Sequence, residues 1–353
     1  MRLAQVAPLA ESIPPKLYGG TERVVSWLTE ELVQLGHAVT LFASADSVTS
    51  ATLVPVWPQA IRLSDPRPDP LSAAAALLEA TASTAAQFDV IHCHLEWIHL
   101  PLLRRIGVPY LTTLHGRLDG PHVPALSGCF PDATFVAISD SQRNTIPSLN
   151  WLATVHHGLP ADMFKPSLNS EGYLAFLGRI APEKGPAAAI RVAKGSGLPL
   201  RVAAKVPREN GQYFAQEIAP LIDNIQIQFI GEVDDRAKAT FLRNAAALIF
   251  PIEWPEPFGL VMIEAMACGT PIIAFRRGSV SEIIEDGVSG FAVENESEAL
   301  AAVARLKDLD RRRVRAAFEQ RFTARRMAED YVALYQDLAR GSVSGRNGRG
   351  GAG

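Results

Sequence analysis

Short apolar segments alternate with helical segments along most of this chain, and this alternation restricts its fold more than any other feature. In the first half, the predicted strands lie at residues 3–7, 38–43, 89–93, 110–114 and 133–138. Apolar residues at helical spacing fill residues 24–35, and an alanine-rich helix is predicted over residues 71–87. Strands separated by helices form parallel sheets with helices on both faces, which predicts a doubly wound α/β domain.

A polar stretch, KPSLNSEG at residues 165–172, lies near the middle of the chain, and a second alternation follows it. There the predicted strands lie at residues 173–177, 200–204, 226–230, 247–250 and 271–275. A chain of 353 residues is long enough for two domains. We therefore predict two facing, Rossmann-like, doubly wound domains over residues 1–166 and 172–323, with a ligand site in the cleft between them. Residues 341–353 are predicted to be a flexible tail.

Composition excludes several classes of protein. The 34 Lys and Arg nearly equal the 37 Asp and Glu, and a net charge of −3 gives no reason to expect a nucleic-acid partner. No apolar run approaches the ~18 residues that a spanning helix needs, and secretion is not indicated. Cys93, Cys129 and Cys268 are odd in number and stand in apolar surroundings, which favours reduced, buried thiols. These features predict a cytoplasmic protein.

Two glycines, Gly19 and Gly20, precede the first long helix. Glycines there let the backbone approach a ligand closely, and the helix N-terminus offers unpaired N–H groups to an anion. An ordinary turn is the alternative interpretation.

Two cations follow the first strand of the second half. Arg179 and Lys184 stand five residues apart in FLGRIAPEKG, at the predicted carboxyl end of that strand. A guanidinium and an ammonium suit the oxygens of a diphosphate. The alternative is a solvated basic loop.

Two carboxylates mark the segment EPFGLVMIEAMACGTP, in which a proline-rich loop leads into a helix. Glu256 precedes the helix and Glu264 lies within it, roughly 9 Å along the axis from Phe258 at ~1.5 Å per residue. This offset lets the two carboxylates hold hydroxyls on two separate sugars while the helix N-terminus faces the phosphates between them. A salt-bridged core glutamate is the alternative for Glu264, because a buried carboxylate needs a partner.

The E-x(7)-E spacing, the R-x(4)-K pair and the paired-glycine loop together resemble the family 4 glycosyltransferases. The likeness extends from residue 5 to about residue 338. It implies the GT-B fold and a retaining, hexosyltransferase-type enzyme that moves a sugar from a nucleotide-diphosphate sugar to an acceptor. It also implies no required metal or other cofactor, and a helix near residues 324–340 that packs back on the first domain.

The resemblance further implies roles for single residues. It places Glu264 at the nucleotide ribose, Glu256 at a hydroxyl of the transferred sugar and His115, which ends LTTLH, beside that sugar. The residues implied in catalysis are His115, Arg179, Lys184 and Glu256. The residues implied in donor binding, besides Arg179, Lys184 and Glu256, are Gly19, Gly20, Ser139, Lys205, Gly231, Glu232, Val233, Phe258, Gly259, Leu260 and Glu264.

Two segments depart from the family pattern. Residues 203–207, AAKVP, stand where a glycine-rich turn is common, and Lys205 there is a candidate third cation for the phosphates. Residues 276–282, RRGSVSE, lack a second glycine and a proline, which weakens the case for a phosphate contact at that segment.

Two clusters have competing interpretations. His92, His94 and His99 lie close in sequence, but no Cys/His quartet or H-E-x-x-H motif accompanies them, so hydrogen-bonded structural histidines are favoured over a metal site. Residues 305–326 carry nine Lys and Arg against three acidic residues. A solvated helical face is favoured there over contact with a membrane or an anionic acceptor.

Other functions fit part of the same pattern. A GT-B relative could hydrolyse or epimerise a nucleotide sugar, and a non-catalytic two-domain protein would bind such a ligand without turnover. The second interpretation leaves the two cations and two carboxylates unexplained. A dinucleotide-dependent oxidoreductase is weaker, because no G-x-G-x-x-G motif follows a strand. No pattern specifies the base, the sugar, the acceptor or the oligomeric state.

Overall fold

The computed structural model describes residues 1–16 and 19–341, and its contacts divide the chain into two compact units. Of these described residues, the first unit contains those at 1–16, 19–138, 143–156 and 324–341. The second contains residues 139–142 and 157–323. Apart from Gly341, the predicted tail lies outside the described residues.

Apart from residues 139–142, the second unit begins at His157, whereas the sequence places the change between residues 166 and 172. The His157 ring packs edge-on against Phe258, with 4.9 Å between ring centroids. The Arg315 guanidinium donates hydrogen bonds to the carbonyl oxygens of Ala161 and Phe164. These contacts hold residues 157–164 on the second unit, before the polar stretch begins.

The first unit is built on a seven-stranded parallel sheet in the order β3-β2-β1-β4-β5-β6-β7. Its strands are β1 Arg2–Val6, β2 Ala38–Ser44, β3 Thr52–Trp57, β4 Val90–Cys93, β5 Tyr110–Thr113, β6 Thr134–Ala137 and β7 Asn150–Thr154. The helices along this part of the chain are α1 Gly20–Gln34, α2 Pro70–Thr84, α3 Leu100–Leu103, α4 Val123–Cys129 and α5 Asp140–Thr145, the last shared between the two units.

The second unit is built on a six-stranded parallel sheet in the order β10-β9-β8-β11-β12-β13. Its strands are β8 Leu174–Arg179, β9 Leu200–Lys205, β10 Ile227–Gly231, β11 Ala247–Phe250, β12 Ile272–Phe275 and β13 Gly290–Val293. Its helices are α6 Pro186–Ser196, α7 Gly211–Tyr213, α8 Asp235–Asn244, α9 Leu260–Ala267, α10 Val280–Ile283, α11 Glu296–Ala304 and α12 Arg311–Arg321. The last helix, α13 Ala324–Ala339, belongs to the first unit and packs against α1.

Both faces of each sheet are covered, as the apolar strand sequences predict. In β2, Phe42 packs in one buried cluster, whereas its neighbours Leu41 and Ala43 pack in another. Successive side chains of a strand point to opposite faces, so two clusters on one strand mean that both faces are buried. The prediction of two doubly wound parallel sheets is confirmed.

Three strands have no counterpart in the sequence prediction: β3, β7 and β13. Each lies at an edge of its sheet. The pattern of β3 and β7 is weak because their residues are mostly half-buried, as is typical of strands at sheet edges. β13 is a fully buried strand of four residues that begins with a glycine, a residue depleted in strands.

The prediction of three buried thiols is wrong for one cysteine. Cys93 and Cys268 are buried, but Cys129, the last residue of α4, is exposed. It ends a short helix whose described residues are mostly exposed, so its apolar sequence neighbours do not cover it. Among the helices that the structure describes, none combines the length and apolar character needed to cross a membrane.

The prediction of a solvated basic face over residues 305–326 is wrong for three arginines of α12, of which Arg321 donates to the carbonyl oxygens of Glu282 and Ile283. The Arg311 guanidinium donates to the carbonyl oxygens of Ser167, Arg243 and Ala245 and to Thr270 Oγ1. The Arg315 guanidinium likewise bonds to backbone oxygens, including that of Ala267 at the end of α9. A planar group with five N–H donors can satisfy several carbonyls at once, so these side chains stabilise the fold.

Candidate active site

The carboxyl ends of β8 and β9 bring two predicted cations together. Arg179 and Lys205 are register partners at the ends of these parallel strands, and the Ile180 amide bonds to the Lys205 carbonyl oxygen at 2.8 Å. The Arg179 side chain is partly exposed, and Glu183 lies 3.8 Å from its guanidinium. The Lys205 side chain is exposed. Two adjacent strand ends thus present positive charge at the edge where parallel sheets bind ligands.

Lys184 ends a short turn of 3₁₀ helix over Pro182–Lys184, which follows β8. The next residue, Gly185, has a φ of +68°, and a Cβ there would lie 2.0 Å from the Pro251 carbonyl oxygen. Only glycine fits this close approach. The Glu253 amide also bonds to the Glu183 carbonyl oxygen at 2.9 Å. These contacts dock the turn on the loop that follows β11.

Docking of this turn pairs Lys184 with Glu256. The Lys184 Nζ lies 2.6 Å from Glu256 Oε2, and the two side chains are 14% and 12% exposed. Trp254 donates from Nε1 to the same carboxylate oxygen at 2.7 Å, and its ring lies 4.5 Å from the Lys184 nitrogen. The structure therefore joins a predicted phosphate cation and a predicted sugar carboxylate in one compact group. Trp254 completes this group and has no counterpart in the sequence analysis.

Residues 276–282, which depart from the family pattern, pack against the backbone of the loop that carries Glu256. Gly278 has a φ of +59°, and a Cβ there would lie 2.3 Å from the Glu256 carbonyl oxygen. The Ser279 amide donates to that oxygen at 3.0 Å, and the Ser279 hydroxyl donates to the Phe258 carbonyl oxygen at 2.8 Å. The single glycine and the serine of this segment thus fix the backbone of the Glu256 loop.

Glu264 lies inside α9 and forms an ion pair. Gly259, with a φ of +79°, precedes the first helical residue, Leu260, as the sequence predicts. The Glu264 side chain is 7% exposed, and Lys238 of α8 reaches its Oε1 at 2.5 Å. The structure thus shows the salt-bridged glutamate that was the alternative interpretation, while the ribose contact stays a prediction. Lys238 was not predicted from the sequence, because its proximity to Glu264 depends on the packing of α8 against α9.

The segment predicted to meet the base follows the edge strand β10. Gly231 ends the strand with a φ of +79°, Glu232 is exposed and Val233 is half-buried. Val233 and Ile230 line a shallow cavity of about 690 Å³ that runs beside α8 to Arg201. Arg179 and Lys205, the cations at the ends of β8 and β9, are not among the described residues that line this cavity.

His115 follows β5 in the first unit, and a carboxylate sets its backbone. Glu96 accepts hydrogen bonds from the backbone N–H groups of His115 and Gly116, and its own φ of +54° is rare for a residue with a side chain. Burial raises the pKa of Glu96. The His115 ring contacts His94, with 2.9 Å between His115 Nε2 and His94 Nδ1. Burial lowers the pKa of His115 to about 3, so its imidazole is neutral at physiological pH.

The paired-glycine loop carries an acidic group. Helix α1 begins at Gly20, and Glu22 in its first turn is buried. A Cβ on Gly19 would lie 2.8 Å from a carboxylate oxygen of Glu22, and burial raises the pKa of Glu22. The carboxyl group of Glu22 thus lies at the helix start that is predicted to face the donor phosphates. The contact of Gly19 and Gly20 with the donor stays a prediction.

Ser139 is fully buried after β6 and caps a helix. Its hydroxyl oxygen accepts from the Gln142 amide at 3.0 Å, while Glu282 of α10 accepts from the amides of Asp140 and Ser141 at 2.7 Å each. These acceptors satisfy three N–H groups at the start of α5. Glu282 has no counterpart in the sequence analysis, and a donor contact of Ser139 stays a prediction.

The clustered histidines form hydrogen bonds to protein groups. The His92 and His94 rings lie 4.0 Å apart, and His99 Nε2 lies 2.6 Å from Thr112 Oγ1. Within residues 1–16 and 19–341, no group of three His, Cys, Asp or Glu residues is arranged to hold a metal ion.

Known protein families match both parts of the chain. Glycosyl transferases group 1 matches residues 160–321, and Glycosyltransferase Family 4 matches residues 18–161. The chain is a family 4 glycosyltransferase. The matched segments contain all the residues that the resemblance singled out.

Relatives of this family 4 glycosyltransferase include enzymes named D-inositol 3-phosphate glycosyltransferase. The Mycobacterium avium protein is 28% identical over 66% of this chain and 65% of its own length. The Kribbella flavida protein is 26% identical over 81% of this chain and 82% of its own length.

Solved structures share the fold at lower identity. Sucrose-phosphate synthase from Thermosynechococcus elongatus has a TM-score of 0.78 at 18% identity, covering 96% of this chain and 99% of that one. Anabaena HepE in complex with UDP and glucose has a TM-score of 0.72 at 17% identity, covering 96% and 100%. The GT-B fold predicted from the sequence is confirmed.

Proposed function

We propose that this protein is a retaining, metal-independent, cytoplasmic glycosyltransferase that moves a sugar from a nucleotide-diphosphate sugar to a hydroxyl acceptor. The bond between the sugar C1 and the diphosphate oxygen breaks, and a bond from C1 to the acceptor oxygen forms on the same face of the ring. The acceptor's O–H bond breaks in the same reaction, and its proton passes to the departing nucleoside diphosphate. The observation that carries the proposal is the compact group of Lys184, Glu256 and Trp254 at the strand ends that also present Arg179 and Lys205.

The cations in this proposal stabilise the leaving diphosphate. Negative charge grows on the diphosphate as the glycosidic bond breaks, and fixed cations at that position lower the barrier. Lys184 shares its charge with Glu256 in this structure, so a bound diphosphate would draw the ammonium toward its own oxygens. The carboxylate would then accept a hydrogen bond from a hydroxyl of the transferred sugar.

The remaining predicted contacts complete the donor site. Glu264 would hold the ribose, the amides of residues 258–260 would meet the phosphates, and residues 231–233 would meet the base. His115 is the residue of the first unit proposed to meet the transferred sugar. The paired glycines and Ser139 are proposed as donor contacts on the same resemblance.

A two-step experiment tests the proposal. First, thermal shifts are measured with a panel of nucleotide sugars, because a ligand that binds only the folded state raises the melting temperature. The stabilising donor is then incubated with inositol phosphates, which the names of the relatives suggest, and with other polyols, with and without EDTA. The expected result is EDTA-resistant transfer, and the product's anomeric proton coupling should show the donor's configuration.

Three results would count against this function. Equal consumption of donor with and without acceptors would indicate a hydrolase or an epimerase. Binding of a donor without turnover on any acceptor would indicate a ligand-binding protein. Loss of transfer in EDTA, restored by a divalent ion, would contradict metal independence.

A further inference from the structure

A continuous chain of buried hydrogen bonds leads from the C-terminal helix of the first unit to His115. The Tyr335 hydroxyl of α13 bonds to His92 Nδ1 at 2.7 Å and accepts from the side-chain nitrogen Nε2 of Gln5 at 3.1 Å. The side-chain oxygen Oε1 of Gln5 bonds to His94 Nε2 at 2.9 Å, and His94 Nδ1 bonds to His115 Nε2 at 2.9 Å. We call His92, Tyr335, Gln5 and His94 the relay.

The relay is shielded from water. All four side chains are buried, with relative exposures of 0% to 2%. Burial holds the pKa of His92 well below its usual range and lowers that of His115 to about 3. A neutral imidazole has one donor and one acceptor nitrogen, so each bond in the relay has a defined direction.

The Gln5 amide sets that direction, because its nitrogen only donates and its oxygen only accepts. His94 must donate from Nε2 to the Gln5 oxygen, so His94 Nδ1 accepts. His115 must then donate from Nε2. On the other side, Tyr335 accepts from Gln5 and donates to His92 Nδ1, so that His92 Nε2 donates to Thr113 Oγ1 at 2.7 Å.

The two hydroxyls at the far end of the chain can adopt this direction. The Thr113 hydroxyl, which accepts from His92, can donate to the Tyr331 hydroxyl at 2.8 Å. Every bond from His115 to Tyr331 thus has one donor and one acceptor. Rotating the Gln5 side-chain amide by half a turn would exchange its oxygen and nitrogen. Every bond of the chain would then reverse, and the His115 proton would move to Nδ1.

We propose that the relay of His92, Tyr335, Gln5 and His94 fixes His115 as the Nε2–H tautomer and so makes its Nδ1 an acceptor only. The relay residues are positioning residues, since they act on a ligand through His115. This proposal rests on the proposed function only where it concerns substrate: a sugar hydroxyl that meets His115 Nδ1 must donate its hydrogen. The Nδ1–H tautomer would instead require an acceptor oxygen.

The tautomer can be observed directly in the full chain without substrate. Protein labelled with ¹⁵N-histidine gives long-range proton–nitrogen correlations that separate the two tautomers, and a His115→Asn variant identifies the His115 signals among the eight histidines. The expected spectrum shows His92, His94 and His115 all protonated on Nε2. A proton on Nδ1 of His115, or an averaged signal, overturns the proposal.

Two matched tyrosines of α13 test whether the relay sets the tautomer. Tyr335→Phe removes the hydroxyl that orients Gln5, so His115 is expected to become a mixture of tautomers. In the transfer reaction, we expect its kcat to fall about tenfold with the donor KM within twofold. Tyr331→Phe removes an equally buried hydroxyl beyond the relay, so the His115 spectrum and kcat should match wild type.

The remaining outcomes are decisive as well. If Tyr335→Phe leaves the His115 spectrum unchanged, the relay does not set the tautomer. If that variant does not fold, Gln5→Met breaks the same chain at its centre and should give the same mixture. If the protein shows the Nε2–H tautomer but transfers no sugar, the proposed function is refuted and the relay proposal stands. If it transfers sugar but His115 is the Nδ1–H tautomer, the relay proposal is refuted and the proposed function stands.

Discussion

The candidate site residues of the second unit are ion pairs, whereas those around His115 in the first unit are neutral. In the second unit, Lys184 pairs with Glu256 and Lys238 with Glu264, so opposite charges lie together, partly exposed in the first pair and buried in the second. In the first unit, the histidines near His115 are kept neutral by burial and connected through Gln5 and Tyr335. The charged cluster of the second unit thus consists of ion pairs, whereas the neutral cluster of the first unit consists of hydrogen bonds with defined proton positions.

This difference fits the two kinds of group in a nucleotide-sugar donor. A diphosphate is an anion, and a cation already held by a carboxylate can be shared with it at modest cost, because no isolated buried charge is created. A sugar hydroxyl is neutral, and it is recognised by a donor or acceptor whose orientation is fixed in advance. The comparison predicts that substitutions in the charged cluster change binding of the anion, while those in the neutral cluster change pH dependence and proton positions.

The largest effect is expected at Lys184. Lys184→Ala removes the cation that we expect to oppose charge on the leaving diphosphate, and kcat should fall about 10²- to 10³-fold. The control is Arg191→Ala, which breaks an exposed ion pair with Glu296 outside the site and should keep kcat within twofold. Wild-type turnover in a folded Lys184→Ala variant would support the solvated-loop alternative.

A smaller effect is expected at Glu264, where two roles must be separated. Glu264→Ala removes a charged acceptor worth about 1.5–3 kcal/mol from the proposed ribose contact, so the Kd for the matching nucleoside diphosphate should rise about 10- to 150-fold. It also leaves Lys238 buried without this partner, which should lower the melting temperature. Calorimetry and thermal unfolding on the same variant measure both effects.

Lys238→Met is the matched control for Glu264. It breaks the same ion pair but keeps the carboxylate, so melting temperature should fall while the nucleoside diphosphate Kd changes by less than about threefold. If both variants lose affinity equally, Glu264 acts by holding α8 and α9 together and does not contact the ribose.

The neutral cluster should appear in the acid stability of the protein. Burial lowers the pKa of His99 and His115 to about 3, whereas unfolded histidines titrate near 6.5. The unfolded state therefore binds more protons between these values. Stability is complete above pH ~6.5 and should fall by about 1.4 kcal/mol per pH unit for each such histidine as pH decreases toward 3.

Urea unfolding at pH 7, 6, 5 and 4, followed by tryptophan fluorescence, measures this slope. His99→Gln keeps a donor for Thr112 but removes one titrating group, so its slope should be shallower by about one proton. An unchanged slope in His99→Gln would show that burial of this imidazole does not govern acid stability.

The sequence predicted those parts of the site that lie in continuous segments. Arg179 at a strand end, Gly259 before α9 and the positions of Glu256 and Glu264 follow from local patterns of apolar residues, glycine and proline. The sheet centres were predicted for the same reason, because buried parallel strands are continuously apolar.

The partners of these residues could not be predicted, since they come from distant segments. Lys238 meets Glu264 only because α8 packs beside α9, and Ser279 fixes the Glu256 loop from a different strand end. Glu96 holds the His115 backbone through a positive φ, which no local sequence rule requires of a glutamate. Pairings of this kind depend on tertiary packing and leave no periodic signal.

The smallest effect is expected at Lys205, the cation that replaces a glycine-rich turn. Its backbone is in register with Arg179, which places it near the proposed diphosphate, but its side chain is exposed. Exposed charge pairs contribute about 0.2–1 kcal/mol and are screened by salt, so Lys205→Ala should raise the nucleoside diphosphate Kd about two- to fivefold at low ionic strength. At ~0.5 M salt, where the screening length is only a few ångströms, the difference should fall below about twofold. Calorimetry at both salt concentrations makes the comparison, with Lys184→Ala as the reference for a shielded cation whose effect persists in salt. A Lys205 effect that is equally large at both concentrations would mean that this side chain is desolvated on binding. Lys205 would then contact the diphosphate out of reach of solvent, as we propose for Lys184, and would not belong to the solvated rim of the charged cluster.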